Sequence, residues 1–436
     1  MSNTIPHQTD TIKAMGLWKT TAFVSGNMIG SGLFLLPASL AIYGSISLMG
    51  WLLSAVGALL LAGVFSRLSR RFPQSGGPYI FCNHAFGEFM GFQVAWSYWL
   101  STWIANAAIV TAATSYLSFF FPILSQDRMM AFYASNVLLW LLTFINIRGV
   151  KESTTITAIL TLLKITALIG LSCLFMFYFD INNIAPLKAT APHSEWHAIL
   201  TCTSLTFFAF IGVETATVPA GNIKDPTKTI PRATYLGTSI AAVLFIFTTV
   251  AIMGLMPIEQ LAGSTAPFVD ACKLILGDNA AWVIAMIASV VTIGTLNGFV
   301  MLQGQVPYAA AKNNLLPELF AKVSKGDAPI AGLVISSICV SVLLFMTTDA
   351  AMLDQFTYIV LLSTFLVLIP FLYSCLADLK YLAADTNPRK MATMLSLCAF
   401  AYVIAAIIGS GAFVVMWGSV VLFMGLPFFV WMKKTG

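Results

Sequence analysis

Charge is what this 436-residue sequence has least of: Asp, Glu, Lys and Arg together make up 9%, where a soluble globular chain carries about 25%. So little charge excludes a large soluble catalytic domain, because most of a soluble surface has to be polar enough to be wetted. Histidine is scarce too. His7, His84, His193 and His197 are the whole set; His193 and His197 are spaced i,i+4 but have no third ligand near in sequence, so no metal site is expected. The cysteines, Cys82, Cys173, Cys202, Cys272, Cys339, Cys375 and Cys398, form no C-x-x-C pair and mostly sit in apolar runs. They read as small packing residues, not as disulfides or ligands. A membrane-embedded enzyme would need a clustered Ser/His/Asp set, a His/Glu metal set or an aspartate pair inside the apolar runs, and the sequence offers none. Neither enzymatic activity nor a cofactor is expected.

Apolar residues are what the chain has in excess, at 58%. About 20 consecutive apolar residues cross a bilayer, so twelve spans use about 240 residues, close to the roughly 253 that 58% of 436 represents. Barrel strands would alternate polar and apolar residues over about 10 positions, which these continuous runs do not. The fold class expected is all-α and polytopic, with about twelve spans near 16–40, 45–66, 88–116, 129–146, 154–178, 197–220, 233–255, 280–309, 329–347, 353–376, 393–410 and 412–432. Residues 1–15 read as a retained polar tail, since no small-residue cleavage site precedes the first span.

Lys and Arg set the orientation. Lys13, Lys19, Arg67, Arg70, Arg71, Arg148, Lys151, Lys224, Lys228, Arg232, Lys312, Lys322, Lys325, Lys380, Arg389, Lys390, Lys433 and Lys434 fall on one side of these spans. Only Arg128, Lys188 and Lys273 fall on the other, with Lys164 inside a span. Both termini are therefore expected in the cytoplasm and the protein in the inner (plasma) membrane. The net charge of +5 is a topology signal: basic residues spread over seven loops are not a nucleic-acid patch.

Two spans are interrupted. The first contains Gly26-Asn27-Met28-Ile29-Gly30-Ser31-Gly32, and each glycine costs a helix about 1 kcal/mol relative to alanine. A break at membrane depth is tolerated where the freed backbone groups meet protein, ligand or cavity water, and the N-terminus of the restarting half-helix suits a carboxylate. The alternative reading is a close-packing face of small residues. The sixth span carries Phe207-Phe208-Ala209-Phe210-Ile211-Gly212-Val213-Glu214, and an acid inside a membrane span is expensive and usually functional. Interruptions at corresponding positions of two halves point to an inverted-repeat transporter. The repeats would be 16–178 and 197–376, with 393–432 peripheral.

Four stretches and a C-terminal match carry a family resemblance: GNMIGSGLFLLP (Gly26 to Pro37), PQSGGPY (Pro73 to Tyr79), FIGVE (Phe210 to Glu214), GNIKDPTKTIPR (Gly221 to Arg232), and Ile408 to Gly411 with Met416-Trp417. Collinear over nearly the whole chain, they resemble the amino acid–polyamine–organocation superfamily, especially its basic amino acid/polyamine antiporters of the arginine–agmatine type. The resemblance implies the LeuT-like five-plus-five inverted repeat with broken helices 1 and 6, a small amino acid or amine as substrate, the lipid bilayer as surroundings, and a homodimer.

It also implies a site. Met28, Ser31 and Gly32 would hold the substrate carboxylate, with Asn27 keeping the break open; unwound carbonyls at Phe208 and Ile211 would hold the α-ammonium. Tyr98, Thr102, Asn106 and Ile109 share a helical face by spacing. The resemblance puts a substrate contact at Asn106, with Ser101 and Thr102 a turn away; the other reading of Asn106 is an interhelical hydrogen bond, worth about 0.6 kcal/mol. Ser363 joins the substrate contacts, while Tyr98, Glu214, Phe299 and Phe371 form the gating and proton-response group. For Glu214 a plain hydrogen-bond acceptor is the other reading. Phe208 and Phe299 stand where arginine–agmatine relatives carry tryptophan, the better cation–π partner, so arginine is in doubt as substrate.

Lys164 continues a polar stripe of Thr154, Thr157 and Thr161. A mid-span lysine needs an interior partner, and the nearest span end lies about 15 Å away at 1.5 Å per residue, too far to snorkel. It resembles the lysine that stands in for sodium in some sodium-independent relatives. The function expected is amino acid/amine or amino acid/amino acid antiport by alternating access, without sodium. The alternatives are proton-coupled uptake and, in another class, a transport-inactive sensor. A channel would need polar rings lining a pore.

Overall fold

The computed structural model describes residues 15–30, 32–74, 76–148, 154–190, 192, 194–218, 220–324, 328–385 and 390–435. In chain order its helices are α1 (Leu17–Met28), α2 (Gly32–Ala41), α3 (Ser47–Arg71), α4 (Pro78–Phe86), α5 (Glu88–Leu117), α6 (Ile123–Gln126), α7 (Arg128–Ile147), α8 (Thr154–Met176), α9 (Glu195–Phe207), α10 (Pro226–Leu255), α11 (Ile258–Ala262), α12 (Pro267–Leu276), α13 (Asp278–Lys312), α14 (Ile330–Met346), α15 (Met352–Ala384), α16 (Lys390–Gly409), α17 (Ala412–Phe423) and α18 (Gly425–Thr435). Among the described residues each of the twelve apolar segments falls on helix, and eight helical stretches are long and apolar enough to cross a membrane. The chain is a multi-pass α-helical membrane protein.

Local chemistry explains several helix starts. The Asp127 carboxylate accepts the Met129 and Met130 N–H groups at 2.8 and 3.2 Å, capping α7, and Ser194 Oγ accepts His197 N–H at the start of α9. Such caps satisfy the amides that a first turn leaves open. α4, α10 and α12 begin with proline, whose missing N–H costs nothing there. The motif PQSGGPY thus opens a short helix, α4, that hydropathy does not reveal.

Burial separates a central set from a rim. α5 is buried on nearly every face and packs along α13 and α15, as an all-round apolar helix must. The most apolar window of α15 is 78% buried, against 22% for those of α7, α16 and the 412–434 stretch. The rim helices turn Val137, Phe144, Met391, Phe413 and Trp417 outward, which suits contact with lipid chains. Arg67 of α3 donates to Asp378 Oδ2 of α15 through Nη2 at 2.7 Å and Nε at 3.0 Å, and ties the rim to this ion pair by donating to Ser396 Oγ of α16 at 2.8 Å.

Candidate functional site

The two interrupted segments meet. α1 ends at Met28, where Ile29 N–H still reaches Ser25 O at 2.8 Å but Gly30 N–H folds back onto Met28 O at 2.9 Å, and α2 resumes at Gly32. α9 ends at Phe207 and passes through short 3-10 turns at Phe208–Phe210, Thr215–Thr217 and Ala220–Asn222 before α10. Gly212, at φ +117°, adopts a backbone conformation that disfavours any side chain. A Cβ there would stand 3.3 Å from Asn27 Cβ, so glycine lets the second unwound stretch lie against the first.

Two small cavities flank this crossing. One, of about 20 Å³, is lined by Asn27, Met28, Gly30, Ile109, Phe208, Ala209, Ile211, Thr295 and Phe299. The other, of about 10 Å³, is lined by Asn27, Tyr98, Ser101, Thr102, Ala105, Ile211, Gly212, Glu214, Thr215, Phe299 and Leu302. Each has room for about one water, far less than an amino acid. Asn27, Ile211 and Phe299 line both, so these three form the wall between them. Two larger spaces lie off the breaks: a cavity of about 320 Å³ with mixed polar and apolar lining beside Arg128, and an apolar groove of about 900 Å³ between α5, α14, α15 and α17.

On one side of the crossing Glu214 is fully buried. Its Oε1 accepts the Tyr98 O–H at 2.6 Å and its Oε2 accepts the Gly212 N–H at 3.1 Å. One carboxylate thus joins α5 to the unwound stretch after α9. Ser101 and Thr102 donate back to their own helix, to Tyr98 O at 2.8 Å and Trp99 O at 2.7 Å, which leaves hydroxyl lone pairs for a donor.

On the other side Lys164 of α8 reaches the first break through α13. Lys164 Nζ donates to Thr295 Oγ1 at 2.9 Å, and Thr295 spends its own proton on Val291 O. A Cβ on Gly30 would lie 2.9 Å from Thr295 Cγ2, so the broken backbone runs directly over the residue that Lys164 holds. A mid-span ammonium here has a polar partner beside the point where α1 comes apart.

Nine of the expected residues therefore line the cavities: Asn27, Met28, Tyr98, Ser101, Thr102, Phe208, Ile211, Glu214 and Phe299. Gly32 opens α2. Ser31 lies outside the described residues, as do the side chains of Thr154, Thr157 and Thr161. Three residues line neither cavity. Asn106 donates to Phe299 O at 3.1 Å and to Gln303 Oε1 at 2.6 Å. Ser363 donates to Ser101 O at 3.0 Å. Phe371 packs edge-on against Phe65 and Phe207. Thr295, Thr215 and Gln303 were not expected; the signal available was a polar side chain inside an apolar run.

The chain is similar to known proteins over most of its length. A family described as amino acid permease matches residues 15–432. The chain is 34% identical over 414 residues to a cadaverine/lysine antiporter of Escherichia coli K12, covering 92% of this chain and 91% of that one. It is 33% identical over 367 residues to an arginine/ornithine antiporter of Pseudomonas aeruginosa, covering 81% and 76%. It is 30% identical over 416 residues to a putrescine transporter of Haemophilus influenzae, covering 94% and 95%.

Proposed function

The chain belongs to the amino acid permease family, and on that footing we propose that it is a sodium-independent antiporter exchanging a basic amino acid for a related amino acid or amine by alternating access. The observation that carries this reading is the crossing of the two broken segments at the shared wall of Asn27, Ile211 and Phe299. The α2 N-terminus presents a partial positive charge suited to a substrate carboxylate; the ends of α1 and α9 present carbonyls suited to an ammonium. An α-amino acid carries both charged groups on one carbon, so it bridges the two breaks. Because the cavities are smaller than the substrate, binding has to displace Phe299 and Ile211, and that displacement couples occupancy to conformation.

The repeats 16–178 and 197–376 would rock against each other about this point, in an inner membrane with both termini cytoplasmic, as the distribution of Lys and Arg favours. Lys164 on Thr295 would supply the fixed cation that a sodium-coupled member of this fold takes from solution. The same lysine supports a second reading, proton-coupled uptake, if its proton leaves during the cycle.

The test is uptake of radiolabelled lysine into proteoliposomes loaded with unlabelled amino acids and amines, with and without sodium and a pH gradient. Loaded-substrate stimulation without sodium is expected. Uptake driven by a pH gradient into empty vesicles would favour the second reading, and no flux under any condition would contradict both.

A further inference from the structure

A directed chain of hydrogen bonds runs behind the cavities. Thr143 of α7 donates to Leu139 O at 2.8 Å. A carbonyl only accepts, so the Thr143 proton is spent there and its 2.8 Å bond to Ser337 of α14 takes its proton from Ser337. Ser337 Oγ then accepts from Gln303 Nε2 of α13 at 2.9 Å. That fixes Gln303 with Oε1 towards α5, where it accepts Asn106 Nδ2 at 2.6 Å. The second Nδ2 proton goes to Phe299 O at 3.1 Å, again a group that only accepts. The two ends of an amide differ little in shape, so its orientation is decided by its neighbours. Here carbonyls at both ends of the chain decide it the same way.

Asn106 is thereby held with its oxygen pointing away from both partners. Oδ1 is buried and, among the described residues, has no hydrogen-bond partner; the whole side chain is fully buried. Twelve other buried side-chain atoms among the described residues share that state, Trp51 Nε1 and Thr249 Oγ1 among them; what sets Oδ1 apart is its place. Asn106 sits on α5 between Thr102, which lines one cavity, and Ile109, which lines the other, and it grips the backbone of Phe299, which lines both. An unfilled acceptor at this place calls for a ligand that brings a donor.

We propose that Gln303 is a specificity-determining positioning residue: by holding Asn106 with Oδ1 unpaired, it makes that oxygen, once Phe299 is displaced, an acceptor for the distal ammonium of a basic amino acid or diamine, and the site discriminates against side chains of like length ending in a methyl group. The proposal rests on the exchange function above. Hydrogen bonds to charged groups are worth enough to discriminate by about tenfold or more.

The experiment is competition by lysine and by norleucine against uptake of labelled lysine into lysine-loaded proteoliposomes, read as the ratio of the two inhibition constants. Wild type should favour lysine by at least about tenfold. Gln303→Leu removes the acceptor that holds Nδ2, and the ratio should fall towards one while norleucine's own constant stays nearly unchanged. Ser337→Ala, which cuts the chain one link further back, should lower the ratio less. A merely structural role for Gln303 would reduce maximal exchange or unfolding temperature for both compounds alike, and an unchanged ratio in Gln303→Leu would overturn the proposal. If Gln303→Leu does not fold, Ser337→Ala decides on the same ratio: a fall supports the proposal and no change overturns it. Absence of any exchange in wild type would refute the transport function itself; exchange that treats lysine and norleucine alike would refute this inference alone.

Discussion

The Tyr98 hydroxyl stands 2.6 Å from Glu214 Oε1, and through it the central helix α5 grips the unwound stretch of the sixth segment. The opposite carboxylate oxygen holds the Gly212 N–H, so the acid organises both its neighbours. Glu214→Leu leaves a buried O–H and a buried N–H without an acceptor, at about 1–3 kcal/mol each, and should lower the unfolding temperature of the purified protein. Glu214→Gln keeps an oxygen for Gly212 and leaves only the Tyr98 O–H without its acceptor, so it should unfold closer to wild type than Glu214→Leu does. If the carboxyl gives the transporter its proton response, exchange plotted against pH flattens in Glu214→Gln; a profile that superimposes on wild type leaves Glu214 as a structural acceptor.

Lys164 on Thr295 places a fixed cation beside the first break. Exchange should therefore proceed equally in sodium and in a sodium-free buffer. Lys164→Ala should lose most of its flux while expression falls little, and Thr295→Val, which removes only the acceptor, should lose less. A strict sodium requirement, or unchanged flux in Lys164→Ala at every pH, would reject this role.

The two breaks were legible in the sequence because glycine inside an apolar run, and an acid in a span, have few explanations at membrane depth. The same logic singled out Lys164 as a residue that needs an interior partner, though it did not name Thr295. What the sequence hid is partner choice. The spacing of Tyr98, Thr102, Asn106 and Ile109 defines a face of α5, yet it does not say that Gln303 stands opposite Asn106 or that Ser363 finds the Ser101 carbonyl. Phe371 shows the same limit, since a phenylalanine carries no mark that separates a gate from the packing it makes with Phe65 and Phe207. Short helices such as α4 and α12 depend on proline starts and loop packing, which a hydropathy window averages away.

Phe208 and Phe299 bear on substrate choice. Both line the cavity at the first break, and a phenylalanine face attracts a guanidinium less than a tryptophan face does. Lysine and ornithine should compete for uptake at least as well as arginine. Phe299→Trp should shift the preference towards arginine by up to a few-fold, since a whole cation–π contact is worth about 0.5–1 kcal/mol. A wild-type protein that clearly prefers arginine and agmatine over the whole panel would contradict this.

Stability should depend on one ion pair far more than on another. Asp378 is 4% exposed and held by Arg67, itself 23% exposed, whereas Arg71 and Asp385 are 42% and 48% exposed. Arg67→Ala strands a buried carboxylate with Ser396 as its remaining partner, and should cost about 3 kcal/mol, the low end for a broken buried pair. Arg71→Ala should cost less than about 1 kcal/mol. Thermal unfolding in detergent separates the two; equal shifts would mean that Asp378 is solvated after all.

The central claim is exchange: substrate on one side is needed to return the carrier for substrate on the other. It is tested most directly by comparing initial uptake of labelled lysine into proteoliposomes loaded with unlabelled lysine or cadaverine and into empty ones, in sodium-free buffer at equal pH on both sides. The account expects rapid uptake into loaded vesicles and little into empty ones. Equal uptake into loaded and empty vesicles would contradict it.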